Sequence, residues 1–266
     1  MTQTEVLAVP PAPRRRRRGL GAFIAILVIV VLIVVAFFVG DAIARQYATG
    51  VITKQMAEAV GASSQKDVSV NLGSGSFLWQ YLTGDIKDVT VKVDPVTVEG
   101  ITGSLQVRAK DVPTDLDKPV GTLRVGVVVP VKSLSSKIAA VPQLRDLGVS
   151  VTGSGSALKF AGTLGVFGQK IPVGVTATPR VASGRPGIQV DKILLGQNAI
   201  PVTQFETVVP GLAAVLKSGT SLCIASSLPR EFVLEHITVD GQNLDFALNG
   251  DGAKLNDASL SQKGRC

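Results

Sequence analysis

The stretch Asp88-Val89-Thr90-Val91-Lys92-Val93-Asp94-Pro95-Val96-Thr97-Val98 decides the fold class. Valine alternates with polar residues at 89, 91 and 93, then again at 96 and 98, so an extended chain has one apolar and one wet side here. The same period of two occurs upstream at Val68, Val70 and Leu72 and downstream at Leu105, Val107 and Ala109. Each run is short and bounded by Gly, Pro, Asp or Thr. Further strands are expected at 123–129, 149–151, 157–160, 171–175, 188–195, 232–234, 237–239 and 244–248. Helical stretches interrupt them at 133–147 and at 203–217, where Pro210 predicts a kink or break. Strands come in runs rather than alternating with helices, which argues for an α+β fold built on a long, curved antiparallel sheet. The joints Gly73-Ser74-Gly75 and Gly153-Ser154-Gly155 suit turns or strongly bent strands.

Upstream of the strands the pattern is helical. Residues 41–60 are rich in alanine, with Ile43, Tyr47, Val51 and Ile52 at helical spacing, and Gly61 is a natural stop. Before that, residues 20–39 form twenty consecutive uncharged positions of mostly Ile, Val, Leu, Phe and Ala. At about 1.5 Å per residue such a helix is roughly 30 Å long, the thickness of a bilayer's hydrocarbon core. Arg14 to Arg18 stand directly before it. By the positive-inside rule the N-terminus stays in the cytoplasm and everything after Gly40 is exported. The expected organisation is a basic cytoplasmic tail at 1–19, a single-pass anchor at 20–40, and an extracytoplasmic domain at 41–266. Ala42-Ile43-Ala44 has the small-x-small form of a signal-peptidase site. Signal peptides usually carry an apolar region of about 7–15 residues. This one is longer, so a retained anchor is expected, with cleavage after Ala44 as the alternative.

Of 27 basic and 20 acidic residues, five arginines and one glutamate precede Asp41, which leaves the exported part near +3. The high isoelectric point therefore reflects topology and gives no reason to expect a nucleic-acid partner. The two cysteines, Cys223 and Cys266, both lie on the oxidising side. Paired, they would close a loop of about forty residues and add about 3–4 kcal/mol by restricting the unfolded chain. Two free thiols or a metal pair are the alternatives. The sole histidine, His236, sits in a strand-like run, so a zinc site is poorly supplied with ligands.

No nucleophile elbow, phosphate-binding glycine loop, dinucleotide fingerprint, paired-histidine motif or Cys-x-x-Cys occurs. No metal, cofactor or catalytic activity is expected. A hydrolase or transferase acting on envelope polymers would need a polar cleft and a carboxylate of raised pKa. The apolar content needs its own account: residues 123–129 place apolar side chains at nearly every position, Val127 and Val128 included, as in a strand covered on both sides. The cover is either the protein's own core or, on one side, a lipid chain. The segment Ser76-Phe77-Leu78-Trp79-Gln80-Tyr81-Leu82 holds the only tryptophan and one of two tyrosines. As a helical turn it places Phe77, Trp79 and Tyr81 as candidates for a membrane interface, which favours such rings. The alternative is a short helix docked on the sheet.

A basic stub, one span, an immediate helix, then Gly75-Ser76-Phe77-Leu78-Trp79-Gln80-Tyr81-Leu82-Thr83-Gly84 and Ile86-Lys87-Asp88-Val89 resemble the actinobacterial LmeA-like phospholipid-binding family. Cys223-Ile224-Ala225-Ser226-Ser227-Leu228-Pro229, followed by residues 232–239 and Asp240-Gly241, looks like that family's closing motif. The likeness covers about 20–250. It implies a periplasmic or cell-wall-side domain, similar to tubular lipid-binding folds, with a curved sheet wrapped about a long helix and phospholipid or glycolipid held inside. One branch of the family supports mannan elongation on lipid-linked glycans, so envelope glycan-biosynthesis enzymes are implied partners besides the membrane. No catalytic residues carry over. An apolar groove suffices, because each methylene hidden from water contributes roughly 0.8 kcal/mol, or about 8 kcal/mol for ten before ordering costs. Its expected lining is Tyr47, Val51 and Met56 on the helix, Val125, Val127 and Val129, then Phe160, Phe167, Ile171 and Val173, and Ile193 and Leu195. A non-enzymatic scaffold module without a ligand is the alternative.

Overall fold

The computed structural model describes residues 18–60, 64–98, 100–139, 147–166, 169–201 and 228–265. The apolar run and the alanine-rich stretch form one uninterrupted helix, α1 (Arg18–Val60), 43 residues and about 65 Å long. Large side chains from Leu27 to Val39 are exposed along it, and this half is a candidate membrane anchor or signal sequence. A single 3₁₀ turn (Gln65–Asp67), capped by Ser64, leads into β1 (Val68–Asn71).

Helix α2 (Phe77–Thr83) then docks on α1. Ser76 caps it by accepting from the Trp79 N–H at 3.1 Å, and Gly84 ends it with φ +95°, a left-handed turn that glycine adopts without a Cβ penalty. Asp41 of α1 accepts from the Ser76 hydroxyl at 2.8 Å and from the Leu78 N–H at 2.6 Å. Arg45, one turn on, donates to the Gly73 carbonyl at 2.8 Å and to that of Gly75. The buried Gln80 donates to the Ser74 carbonyl and accepts from the Lys87 N–H, which joins α2 to the next strand.

The fold is α+β, as the alternation predicts, and its strands form two antiparallel sheets. The first runs β1, β2 (Asp85–Val98), β3 (Ile101–Pro113), β4 (Thr122–Pro130), β11 (Asn243–Asn249), β10 (Val233–Asp240). The second runs in chain order through β5 (Ser150–Ser154), β6 (Ala157–Val166), β7 (Gln169–Ala182), β8 (Arg185–Leu195) and β9 (Asn198–Ile200). Helix α3 (Val131–Ala139) bridges them, and α4 (Asp257–Ser261), capped by Asn256, lies near the C-terminus. Of the two expected helices, residues 133–139 fall in α3. The stretch 203–217 lies outside the described residues.

Val89, Val91, Val93 and Val96 of the opening stretch face one way. Val93 pairs with Val68 and Leu105, Leu105 with Val127, Val127 with Phe246, and Phe246 with Ile237. A parallel row runs Val70, Val91, Val107, Val125, Leu248, Leu234. The register shifts between Val93 and Val96 and between Leu234 and His236. A bulge adds one residue, so Val93 and Val96, or Leu234 and Ile237, three apart, are buried together. The opposite side is polar, with Thr90, Arg108 and Arg124 in register. Strand β4 is accordingly not apolar on both sides: Arg124 and Gly126 face outward, and Val128 lies there half-buried between Ser104 and Asp245.

Val120 and Ala253 close one end over Ala109, Val112 and Leu123, and two further covers share the apolar side. The end of α1 lays Ile52, Met56 and Ala57 over Val68, Val91, Val93 and Val96. The second sheet and α3 bring Val131, Val151 and Leu158 against Leu234, Ile237, Val239, Leu244 and Leu248. The β10–β11 turn fastens this junction, since the Gln242 side chain accepts from the Gly153 N–H at 3.3 Å and donates to its carbonyl at 3.0 Å. The rim is fastened by charge. Asp251 accepts from the Leu123 N–H at 2.8 Å and pairs with Arg124, and the guanidinium first, then the N–H, hold its carboxyl below the usual range. A depressed carboxylate stabilises the fold above its unfolded pKa and loses that contribution as pH falls through the folded value. The melting temperature should therefore drop on acidification below pH ~4. Asp251→Asn should flatten that drop, and an unchanged acid limb would disprove the linkage.

Candidate functional site

The two covers leave a seam between them. Leu105 and Val107 on β3 pack against the α1 cluster, whereas Val125 and Val127 on β4 pack against the cluster shared by the two sheets. These four are cross-strand neighbours, Leu105 opposite Val127 and Val107 opposite Val125, and all are half-buried. Phe246, next to Val127, is half-buried too. An apolar face continuous across six strands thus carries a half-buried strip along β3 and β4, continued by Phe246 on β11. Such a strip can shelter a hydrocarbon chain by shape and apolarity, with no reactive group.

Of the expected lining, Val125, Val127 and Val129 lie on this face, half-buried. Phe160 packs against the same buried cluster as Val125 and Val127, and also against Val175 and Ile193 on the apolar side of the second sheet. Val173 and Leu195 sit opposite one another there, and Ile171 opens the same strand, all half-buried. Ile193 is 1% exposed and belongs to the core rather than to a lining. Phe167 lies outside the described residues, as do Cys223 and Cys266. On the helix a different stripe faces inward. Met56 packs inward, but Tyr47 is 75% exposed and Val51 is exposed, because the inward stripe runs through Ile52, Met56 and Ala57. Both 51 and 52 are β-branched and apolar, so spacing alone did not choose between them. Leu105, Val107 and Phe246 join the same strip without having been expected in it. Their alternation marks one apolar side, but only the pairing with β4 places them at the seam.

Among the membrane-contact candidates, Trp79 and Tyr81 are exposed. Phe77 is buried, its ring 6.2 Å from that of Tyr81, which removes it from a contact surface. His236 is exposed in the bulge of β10. Among the described residues, Asp245 has its carboxyl raised above its ordinary range, by burial and then by the charge of Asp240. It stands on the outer side of β11, opposite Val128 and Thr238, away from the seam. A separate basic cavity of about 590 Å³ lies between Arg230 and the segment from Gln262 to Arg265.

No curated protein and no solved structure matches this chain. The family model described as LmeA-like phospholipid-binding matches residues 39–249, which takes in the end of α1, α2, both sheets and the whole seam. The chain belongs to the LmeA-like phospholipid-binding family.

Proposed function

We propose that this protein is a membrane-anchored, extracytoplasmic lipid-binding protein that shelters the acyl chains of a phospholipid or glycolipid along the seam. In this reading residues 1–19 are a cytoplasmic tail, 20–40 the anchor and 41–266 the lipid-binding domain, stapled by Cys223–Cys266. It serves maintenance of envelope lipid or lipoglycan beside glycan-building enzymes, and does so without catalysis. The observation that carries the proposal is the row of half-buried, cross-strand aliphatic side chains between two separate covers, in a chain of a phospholipid-binding family.

The rival is an envelope scaffold that holds no ligand. Val93 and Ile193, at 0% and 1% exposure, favour it, because at those points the apolar side is already filled by protein. Native mass spectrometry of the full chain, purified in a detergent that does not mimic lipid and followed by solvent extraction, separates the two. A stoichiometric phospholipid or glycolipid adduct is expected. A bare mass that takes up nothing from vesicles supplied afterwards would leave the scaffold reading standing.

A further inference from the structure

The chain contains one tryptophan and two tyrosines. All three, Tyr47, Trp79 and Tyr81, lie on α1 just past the apolar run or on the helix docked against it. All are well exposed, at 75%, 62% and 56%, and Leu82 beside them is 68% exposed. None lines the seam or fills a core cluster. Rings with an apolar body and a polar tip collect where hydrocarbon meets headgroups, so their gathering at one level of the molecule needs a partner with that character.

The level is set by covalent geometry and by four hydrogen bonds. The apolar run ends at Gly40, and Asp41 and Arg45, the next two charged residues, spend their side chains on the segment from Gly73 to Leu78. That places α2 beside the first turns after the span. Tyr47 follows Gly40 by about 10 Å of helix, and helical side chains lean toward the N-terminus, here back toward the span. The headgroup layer extends about 5–8 Å beyond the hydrocarbon on each side, within reach of such a ring. We infer that Tyr47, Trp79, Tyr81 and Leu82 form an interfacial belt seated in the headgroup layer of the bilayer that α1 crosses, and that the Asp41 and Arg45 clamp holds α2 there. The belt fixes how the domain meets the membrane, a property the seam alone does not determine. It rests on the anchor part of the proposed function and is independent of whether the seam holds lipid.

Because Trp79 is the sole tryptophan, the fluorescence of the unmodified full chain reports on the belt alone. The protein would be reconstituted into phosphatidylcholine and phosphatidylglycerol vesicles carrying brominated acyl chains. Vesicle-bound protein should emit to the blue of free tryptophan. Bromines near the glycerol should quench it more than bromines at the chain ends, and iodide should reach it about threefold less than in detergent. In Asp41→Ala, still floating with vesicles, the bromine quenching should fall and iodide access return. Floating protein whose Trp79 is open to iodide and untouched by bromine overturns the belt. Quenching unchanged in Asp41→Ala overturns the clamp. Protein that fails to float overturns the anchor itself, an outcome the flotation step reads separately.

Discussion

Gly153→Ala should lower the melting temperature by about 5–10 °C, the largest stability loss expected from a single methyl group among the described residues. A Cβ at Gly153 would fall on the carbonyl oxygen of Gly241, 3.0 Å from that residue's carbonyl carbon and 3.4 Å from Val239 Cγ1. Two backbones meet there, so no side chain can turn aside. Relief requires the β10–β11 turn to retreat from β5. Retreat would stretch both Gln242 bonds to Gly153 and drag Val239 and Leu244 out of the cluster shared by the two sheets. Overpacking of this kind costs about 1–3 kcal/mol. Gln242→Ala, which loses the hydrogen bonds without the collision, should cost about 1–2 kcal/mol. Gly165→Ala on β6 is the control: its Cβ would meet nothing within 4 Å, and stability should hold. Urea and thermal unfolding measure all three, and an unshifted Gly153→Ala would mean that the sheets do not meet at this turn.

Val107→Trp should remove the lipid while leaving the fold in place. Val107 is half-buried on the seam, packed against both the α1 cluster and the cluster of Val120 and Leu123, with Val91 opposite it on one side and Val125 on the other. An indole there would occupy a length of seam that about four methylenes of a bound chain would use. At roughly 0.8 kcal/mol each the loss is about 3 kcal/mol, or more than a hundredfold in affinity. Lipids that merely coat α1 would be unaffected, so the adduct lost in the variant is the one held by the seam. If the seam is closed by protein alone, the same indole overfills a packed core. Stability would then fall by about 1–3 kcal/mol and any adduct would persist. Mass spectrometry beside a melting curve tells these outcomes apart.

The sequence disclosed the elements more fully than their arrangement. Alternation at 68–72, 89–98 and 105–109 located three strands and their apolar side, and the Phe77 segment folds as the expected helical turn. The division into two sheets depends on Val127 meeting Phe246, a pairing across more than a hundred residues that no local pattern announces. The apolar triplet Val127-Val128-Val129 suggested a strand buried on both sides, yet a period of two still turns its middle residue outward. The rotation of α1 was hidden by Val51 and Ile52 being equally apolar neighbours. The seam was legible in part: β4 and Phe160 from their hydrophobicity, but β3 and Phe246 only from cross-strand register.

The continuity of α1 has a mechanical meaning. With its first half in a bilayer, an unbroken helical rod carries rotation and tilt of the span directly into the strands packed on its far end. A flexible leash would let the domain sweep a hemisphere, but a rod confines it to a thin shell above one leaflet. Encounters are then two-dimensional, governed by lateral diffusion of partners in the same membrane. If the span is retained and the seam holds lipid, loading and unloading would take place beside that one leaflet.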